Sequence, residues 1–282
     1  MRPSTRVSGA RAGEEVQSGY WQDLTSGDFE ALDPERTVAL LPVAAVEQHG
    51  PHLPLATDAL INSGLVAAAL DRLAGRATVL VLPALSIGHS LEHADFPGTL
   101  SAGLETLLAL WTDVARGVAR AGVRKLVVLN THGGQSALVH LAAVRLRAEL
   151  ELLVVRANYF AFGAPEGLFD ERELRYGLHG GEVETSLMLH LHPELVRHER
   201  ARDFGGLPAR LADRNRLLGV EKPIGMGWLS RDLGREGVCG NAARADARRG
   251  KLYLEHLAGC LADLLAETAG TPLETLQAGS QS

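Results

Sequence analysis

The stretch Val38 to Asp58 reads VALLPVAAVEQHGPHLPLATD, and the rest of the chain can be arranged around it. It opens on a continuous apolar run, Val38 to Val43, of the kind a buried strand requires. The run gives way at once to Glu47, His49, His52 and Asp58, with Gly50, Pro51 and Pro54 among them. Those breakers exclude a regular helix, so the polar residues belong to a rigid loop at the carboxyl end of a strand. Glu-x-His followed by an Asp in that place reads as part of a metal site.

Working outward, the same grammar repeats. Ala59 to Leu73 has helical spacing and Gly75 just beyond its end. Thr78 to Leu82 is a β-branched strand stopped by Pro83. The polar loop Ser86 to Gly98 carries His89 and His93. A helix over Leu104 to Ala121 precedes a strand, Lys125 to Leu129, which runs straight into Asn130-Thr131-His132-Gly133-Gly134-Gln135. Ser136 to Leu150 is a helix and Leu152 to Ala157 a fourth strand. Strand and helix in alternation specify an α/β fold with a parallel sheet covered on both faces. Ligands collect at the carboxyl ends of such strands, where both polar segments lie.

Arg156 to Tyr176 reads as irregular, anchored by Phe160, Phe162 and Phe169. His179-Gly180-Gly181-Glu182-Val183-Glu184 opens a helix whose apolar run, Leu187 to Leu191, is closed by Pro193; acids suit its first turn. Glu199 to Lys222 reads as basic surface. Gly225 to Asn241 is a glycine-rich loop expected to approach a ligand or a neighbouring subunit. A last helix covers Ala245 to Ala266. With no repeat or dividing linker, residues 1–282 read as one domain with flexible ends at 1–17 and 271–282.

Composition narrows the function. Hydrophobic residues make up 46% and charged ones 22%, enough for a large core. A net charge of -6 with no basic stripe argues against nucleic acid as a partner. Asp71, Arg72 and Arg76 interrupt the longest apolar stretch, Gly64 to Leu85, so no membrane span is expected. Cys239 and Cys260 form no disulfide framework, and no secretory leader follows Arg2 and Arg6, so a cytoplasmic location is expected.

Glu47, His49, Asp58 and His132 form a mixed carboxylate and imidazole set that suits zinc, manganese or iron better than calcium or magnesium. Asp58 could bridge two ions, with Glu47 and His132 on one and His49 on the other. An isolated Glu-x-His is more often a loop pair bonded to backbone; the shared strand-end placement with His132 favours metal. His179 and Glu184 form a second constellation, a proton-transferring imidazole and its orienting carboxylate, though spacing alone equally allows a helix cap. Glu182 is the weaker partner. Of His52, His89 and His93, His93 is the best placed to line a pocket.

Together VEQHGPHLPLATD, EHADFPGT, NTHGGQ and HGGEVETSLMLHLHPELV resemble the creatininase family of metal-dependent amidohydrolases, from about Val38 to Val196. The resemblance implies a three-layer α/β/α fold, two divalent cations (zinc with zinc, manganese or iron) and a homo-oligomer, often a hexamer. It implies Glu47, His49, Asp58 and His132 as metal ligands with Asp58 bridging. It further implies His179 as the group that protonates the leaving nitrogen, with Glu184 supporting it or completing the second metal's shell. Creatinine-hydrolysing members carry a metal-binding glutamate where this chain has Gly134, and tryptophans where it has Asn158 to Ala161 and Arg175 to Leu178. Creatinine is therefore not the expected substrate. Relatives with the Gly-Gly form include a formamide-cleaving enzyme of flavin-type biosynthesis and a peptidase that trims the mycofactocin precursor. The expectation is a hydrolase of C–N bonds in small amides, cyclic amides or formamides, using metal-activated hydroxide. Its alternatives are a mycofactocin-type peptidase and a catalytically silent binding subunit.

Overall fold

A computed structural model describes residues 16–276. The sheet begins with a two-residue edge strand, β1 (Gly19–Tyr20), followed by β2 (Thr37–Val43), helix α1 (Thr57–Leu73), β3 (Thr78–Val81), α2 (Leu104–Arg120), β4 (Lys125–Asn130), α3 (Ser136–Leu150) and β5 (Leu153–Asn158). Strand order is β1-β3-β2-β4-β5, every pair parallel. Then come α4 (Glu171–Tyr176), α5 (Glu182–Leu191), β6 (Asp203–Gly205), α6 (Leu207–Ala212), α7 (Ser230–Leu233), β7 (Gly240–Asn241) and α8 (Ala247–Gly270). β6 and β7 form a separate antiparallel pair.

The period-two alternation of β2 sorts the helices into layers. Val38 and Leu40 face a core built with Leu65 and Val66 of α1, Leu187 and Met188 of α5, and Leu257 and Leu261 of α8. Ala39, Leu41 and Val43 face the opposite core, with Trp111 and Val118 of α2 and Val139 and Leu146 of α3. The result is the expected three-layer α/β/α arrangement. Each buried aliphatic side chain contributes about 1.5–3 kcal/mol.

Pro42 lies in a central strand, where a missing N–H should break the ladder. Its carbonyl accepts from Leu85 N (3.0 Å) on the side where β3 has already ended at Val81. The absent donor therefore costs no strand bond, and the chain is free to turn into the polar loop.

Several expectations are corrected. α1 starts at Thr57, so Asp58 sits in a helical first turn rather than on the loop. Arg156 to Tyr176 is not wholly irregular: α4 lies within it, capped by the Asp170 carboxylate on Arg172 N (2.8 Å). Gly225 to Asn241 contains α7 and β7, and Glu199 to Lys222 contains β6 and α6. The final helix continues to Gly270. Of the ends expected to be flexible, residues 1–15 and 277–282 lie outside the described residues; Val16 is buried and Leu273–Leu276 forms a 3-10 turn.

Candidate metal centre

The carboxyl ends of β2 and β4 deliver two acidic and imidazole segments to one place. Val43 pairs with Asn130 in register, and Thr131 N donates to Val43 O (3.2 Å), which locks the two departing loops together. Asn62 of α1 donates to Val43 O and Leu129 O (3.1 and 3.3 Å), drawing the first turns of α1, and with them Asp58, over the strand ends.

Asp58 divides its oxygens. Oδ1 lies 3.2 Å from His49 Nε2, and Oδ2 lies 3.3 Å from His132 Nδ1. Glu47 Oε1 is 3.2 Å from the same His132 nitrogen, so Glu47, Asp58 and His132 offer three donor atoms to one point. Glu184 Oε2 stands 4.0 Å from His49 Nε2, and His49, His179 and Glu184 form a second such group. His93 Nε2 (3.3 Å) and His179 Nδ1 (3.8 Å) approach Glu47 Oε1 from the other side and make a third. All five sequence-predicted ligands, and His179, thus converge.

Outer hydrogen bonds fix which ring nitrogen faces inward. His49 Nδ1 donates to Glu47 O (3.0 Å), His132 Nε2 to His89 O (2.9 Å) and His179 Nε2 to Gln48 O (2.7 Å). Carbonyls only accept, so each ring keeps its outer N–H and turns its other nitrogen to the centre, the one a metal-ligating imidazole would use. Glu47 Oε2, His49 Nε2 and Asp58 Oδ2 are buried atoms that form no hydrogen bond. Buried polar groups left in that state are costly unless something else binds them. Oxygen and imidazole donors in this mixture fit zinc-class cations.

The electrostatics of these side chains point the same way. Burial works against charge on Asp58, but His49 and His132 hold it well below the usual carboxylate range. Burial likewise disfavours charge on His49, yet Asp58, Glu184 and Glu47 raise it to about 10. His132 is raised well above its ordinary value against burial, by Glu47, Asp58 and Glu92. Burial raises Glu47. His179 is lowered to about 4 by burial and then by the His49 charge, and His93 is lowered by burial and by the His179 and His49 charges. Protons stand where cations could replace them.

The remaining candidates lie elsewhere. His52 Nε2 meets Thr185 Oγ1 (3.0 Å) and its ring packs on Phe204. His89 Nδ1 is held by Ala102 O (3.0 Å), and it is the His89 carbonyl that serves the centre. Glu182 turns away to pair with Arg249 and Arg244. Both cysteines are free.

Sequence reasoning placed Glu92 only within a pocket-lining segment with His93 and passed over Gln48 and Ser230. Glu92 Oε1 lies 3.3 Å from His132 Nε2 and fills the space beside Gly134: a Cβ there would overlap the Glu92 carboxylate. The EHADFPG segment carried that signal in its Glu-His pair. The glycine-rich segment does approach the centre. Gly237 O accepts from Gln48 Nε2 (2.7 Å), Ser230 Oγ lies 2.6 Å from His93 Nδ1, and the Trp228 ring stands edge-on to His93. Val238 packs on Gly50 and Gly180, both at positive φ, where a side chain would be strained and would collide with it.

Comparison with known proteins agrees with this geometry. The creatininase family model, described as creatinine amidohydrolase, matches residues 22–265. A mycofactocin precursor peptide peptidase of Mycobacterium ulcerans is 33% identical over 240 residues, covering 82% of this chain and 86% of that one. A creatinine amidohydrolase of Pseudomonas putida is 34% identical over 204 residues, covering 66% and 77%. The structure of a creatininase variant in its Zn–Zn form superposes with a TM-score of 0.72 at 28% identity, covering 91% of this chain and all of that one. With its parallel sheet, its strand-end loops and its converging carboxylates and imidazoles, the chain belongs to the creatininase family of hydrolases.

Proposed function

We propose that the chain is a two-cation hydrolase of C–N bonds in a small amide, cyclic amide or formamide. The carrying observation is the division of Asp58 between two donor sets, Oδ1 toward His49 and Oδ2 toward His132. Glu47, Asp58 and His132 would hold one ion; His49, Asp58 and Glu184 would hold the other. Zinc is the favoured ion, with manganese or iron as the alternative in one site. Once bound, such ions supply Lewis acidity, polarising a carbonyl and lowering the pKa of water.

The chain supplies the proton path. Gln48 O holds His179 Nε2–H, so only Nδ1 exchanges a proton with the centre. His179 Nδ1 takes the proton from the attacking water and returns it to the departing nitrogen. Glu184 Oε2 accepts from Gly180 N (2.7 Å), which ties the loop bearing His179 to the carboxylate that faces His49.

Metal analysis of protein purified without chelator tests the reading. Two transition-metal ions per chain are expected, one in His49→Ala and none in Asp58→Ala. Wild-type protein free of transition metal refutes it.

A second reading has specific support, because a relative aligned over 82% of this chain is named a mycofactocin precursor peptide peptidase. Incubation with a peptide panel and a small-amide panel, followed by product analysis, separates the two. The proposal extends to one domain over residues 1–282, a cytoplasmic location and a homohexamer. Exposed Leu141 and Val144 on α3 support self-association, and free thiols at Cys239 and Cys260 support a reducing compartment. Among the described residues no helix is long and apolar enough to cross a membrane.

A further inference from the structure

His93 differs from the three imidazoles around it, and the difference assigns it a separate task. Its neighbours each give an outer N–H to a backbone carbonyl. His93 instead turns its outer nitrogen, Nδ1, toward Gln48 Nε2 (3.0 Å) and Ser230 Oγ (2.6 Å). The Gln48 amide has one orientation available. Its Oε1 accepts from Gly50 N (3.0 Å) and its Nε2 donates to Gly237 O (2.7 Å); rotating the amide would set oxygen against oxygen and N–H against N–H. The second Nε2 hydrogen of Gln48 therefore points at His93 Nδ1, which accepts it, and the Ser230 hydroxyl, 2.6 Å away, turns its hydrogen to the same nitrogen rather than to Glu92 O. The opposite arrangement, His93 Nδ1–H to Ser230 and Ser230 to Glu92 O (2.9 Å), would drive that N–H into the amide hydrogens.

With Nδ1 accepting, the ring proton is on Nε2, 3.3 Å from Glu47 Oε1. An imidazole that carries hydrogen on its inner nitrogen is not a metal ligand, although Glu47, His93 and His179 are close enough to suggest one. We propose that His93 is a positioning residue: Gln48 sets its Nε2–H tautomer, and that N–H holds the Glu47 carboxylate toward His132 and Asp58. This inference rests on the reading of Glu47 as a ligand. It also explains why the segment from Ser230 to Gly237 packs against the centre, since it contributes the Gly237 carbonyl and the Ser230 hydroxyl that brace Gln48 and His93.

Two measurements test it. Long-range 1H–15N correlation spectra of metal-free, 15N-histidine-labelled wild type, with the His93 signals assigned by their loss in His93→Gln, read the tautomer directly. The Nε2–H form is expected, and it should persist after zinc is added. An Nδ1–H ring, or a His93 nitrogen shifted by zinc ligation, overturns the proposal. The second measurement is zinc affinity by chelator competition, with folding checked by circular dichroism. His93→Leu and Gln48→Glu are expected to weaken zinc about 10- to 100-fold, the first by removing the N–H and the second by reversing the tautomer. His93→Gln, which keeps an N–H near the position of Nε2, should remain within about tenfold of wild type. Equal losses in His93→Leu and His93→Gln, or no loss in Gln48→Glu, overturn the positioning role while leaving the hydrolase reading intact. Wild type that binds no zinc sinks both.

Discussion

Gly88→Ala is a one-methyl change at a residue that touches none of the proposed ligands, yet it should damage the metal centre. Gly88 is buried where the loop after β3 crosses the end of β2. A Cβ there would lie 2.5 Å from Ala44 O and 2.6 Å from Gln135 Oε1. The first distance falls 0.9 Å short of the 3.4 Å of ordinary contact, and Ala44 O is backbone, which cannot swing aside. Relief must come from moving the loop. The next residue is His89, whose carbonyl accepts from His132 Nε2 at 2.9 Å and whose N–H donates to Gln135 Oε1 at 3.2 Å. If the displacement falls on the first of these, it lengthens to about 3.8 Å and ceases to be a hydrogen bond. His132 then loses the nearest of the groups that fix its Nδ1 toward Glu47 and Asp58, leaving Glu92 Oε1 at 3.3 Å.

The expected magnitudes separate stability from binding. Overpacking costs about 1–3 kcal/mol, offset by about 0.4–1 kcal/mol from a less flexible unfolded chain. The net loss, up to about 2.6 kcal/mol, should lower Tm by no more than about 10 °C, at about 2–4 °C for each kcal/mol. Zinc affinity should fall about 10- to 100-fold, the usual cost of losing a group that orients a metal-bound imidazole. Gly259→Ala in α8 is the control: its Cβ meets nothing within 4 Å, so it should keep zinc affinity and gain up to about 1 kcal/mol. Scanning calorimetry and zinc–chelator competition on the two variants give the answer. Gly88→Ala that folds and binds zinc within twofold of wild type would show that the His89 carbonyl does not set His132.

Two other outcomes follow from single contacts. Gly134→Ala would drive a Cβ into the Glu92 carboxylate and to 2.7 Å from His132 Nε2, so zinc affinity should fall at least about tenfold; adding Glu92→Ala should restore only part of it, because the His132 contact remains, and full restoration in a chelator-competition assay would contradict this. His52 is lowered from 6.5 to about 4 by burial and then by the His49 charge; between those values only the unfolded chain takes up the proton, so stability is full above pH 6.5 and falls as pH drops toward 4. The slope is at most about 1.4 kcal/mol per unit. Urea unfolding of metal-free protein at pH 7 and 5 should show it, and His52→Gln should flatten it; an unchanged slope would exclude His52 as the cause.

The sheet and the segments bearing Glu47, His49, Asp58 and His132 were legible because both depend on local pattern, whereas Glu184 entered the proposed ligand set only through the family resemblance. Parallel strands buried on two faces must be apolar throughout, so Val38 to Val43 and Lys125 to Leu129 stand out, and so does the polar break after each. What was not legible depends on contacts made at long range. α4 is six residues, ERELRY, with no apolar period; its buried Glu173 is held by Glu182 N (2.7 Å) and Asn241 N (2.9 Å), neither of which is a neighbour in sequence. Gln48 and Ser230 are ordinary polar residues until Gly237 and His93 are brought against them. Asp58 was read as a loop residue because Pro54 lies four positions before it. The helix begins at Thr57, whose hydroxyl donates to Pro54 O (2.7 Å), and the proline ends the loop rather than forbidding the turn.

Backbone carbonyls, rather than side chains, orient three of the four imidazoles, and that choice has a chemical reason. A carboxylate behind His49 or His179 would add negative charge to a centre that already holds Glu47, Asp58, Glu92 and Glu184, and it could itself take up the proton; at His132 a carboxylate, Glu92 at 3.3 Å, does share the outer nitrogen with the carbonyl. The carbonyls of Glu47, Gln48 and His89 cannot titrate. The inward lone pairs therefore keep their direction whatever the charge on the surrounding acids. The run Glu47-Gln48-His49 serves twice, contributing a carboxylate and an imidazole to the proposed cation sites and two carbonyls to the rings beside them. The weak points of the centre are accordingly positions where the backbone can be displaced, and Gly88, beside the third carbonyl, is the most direct of them.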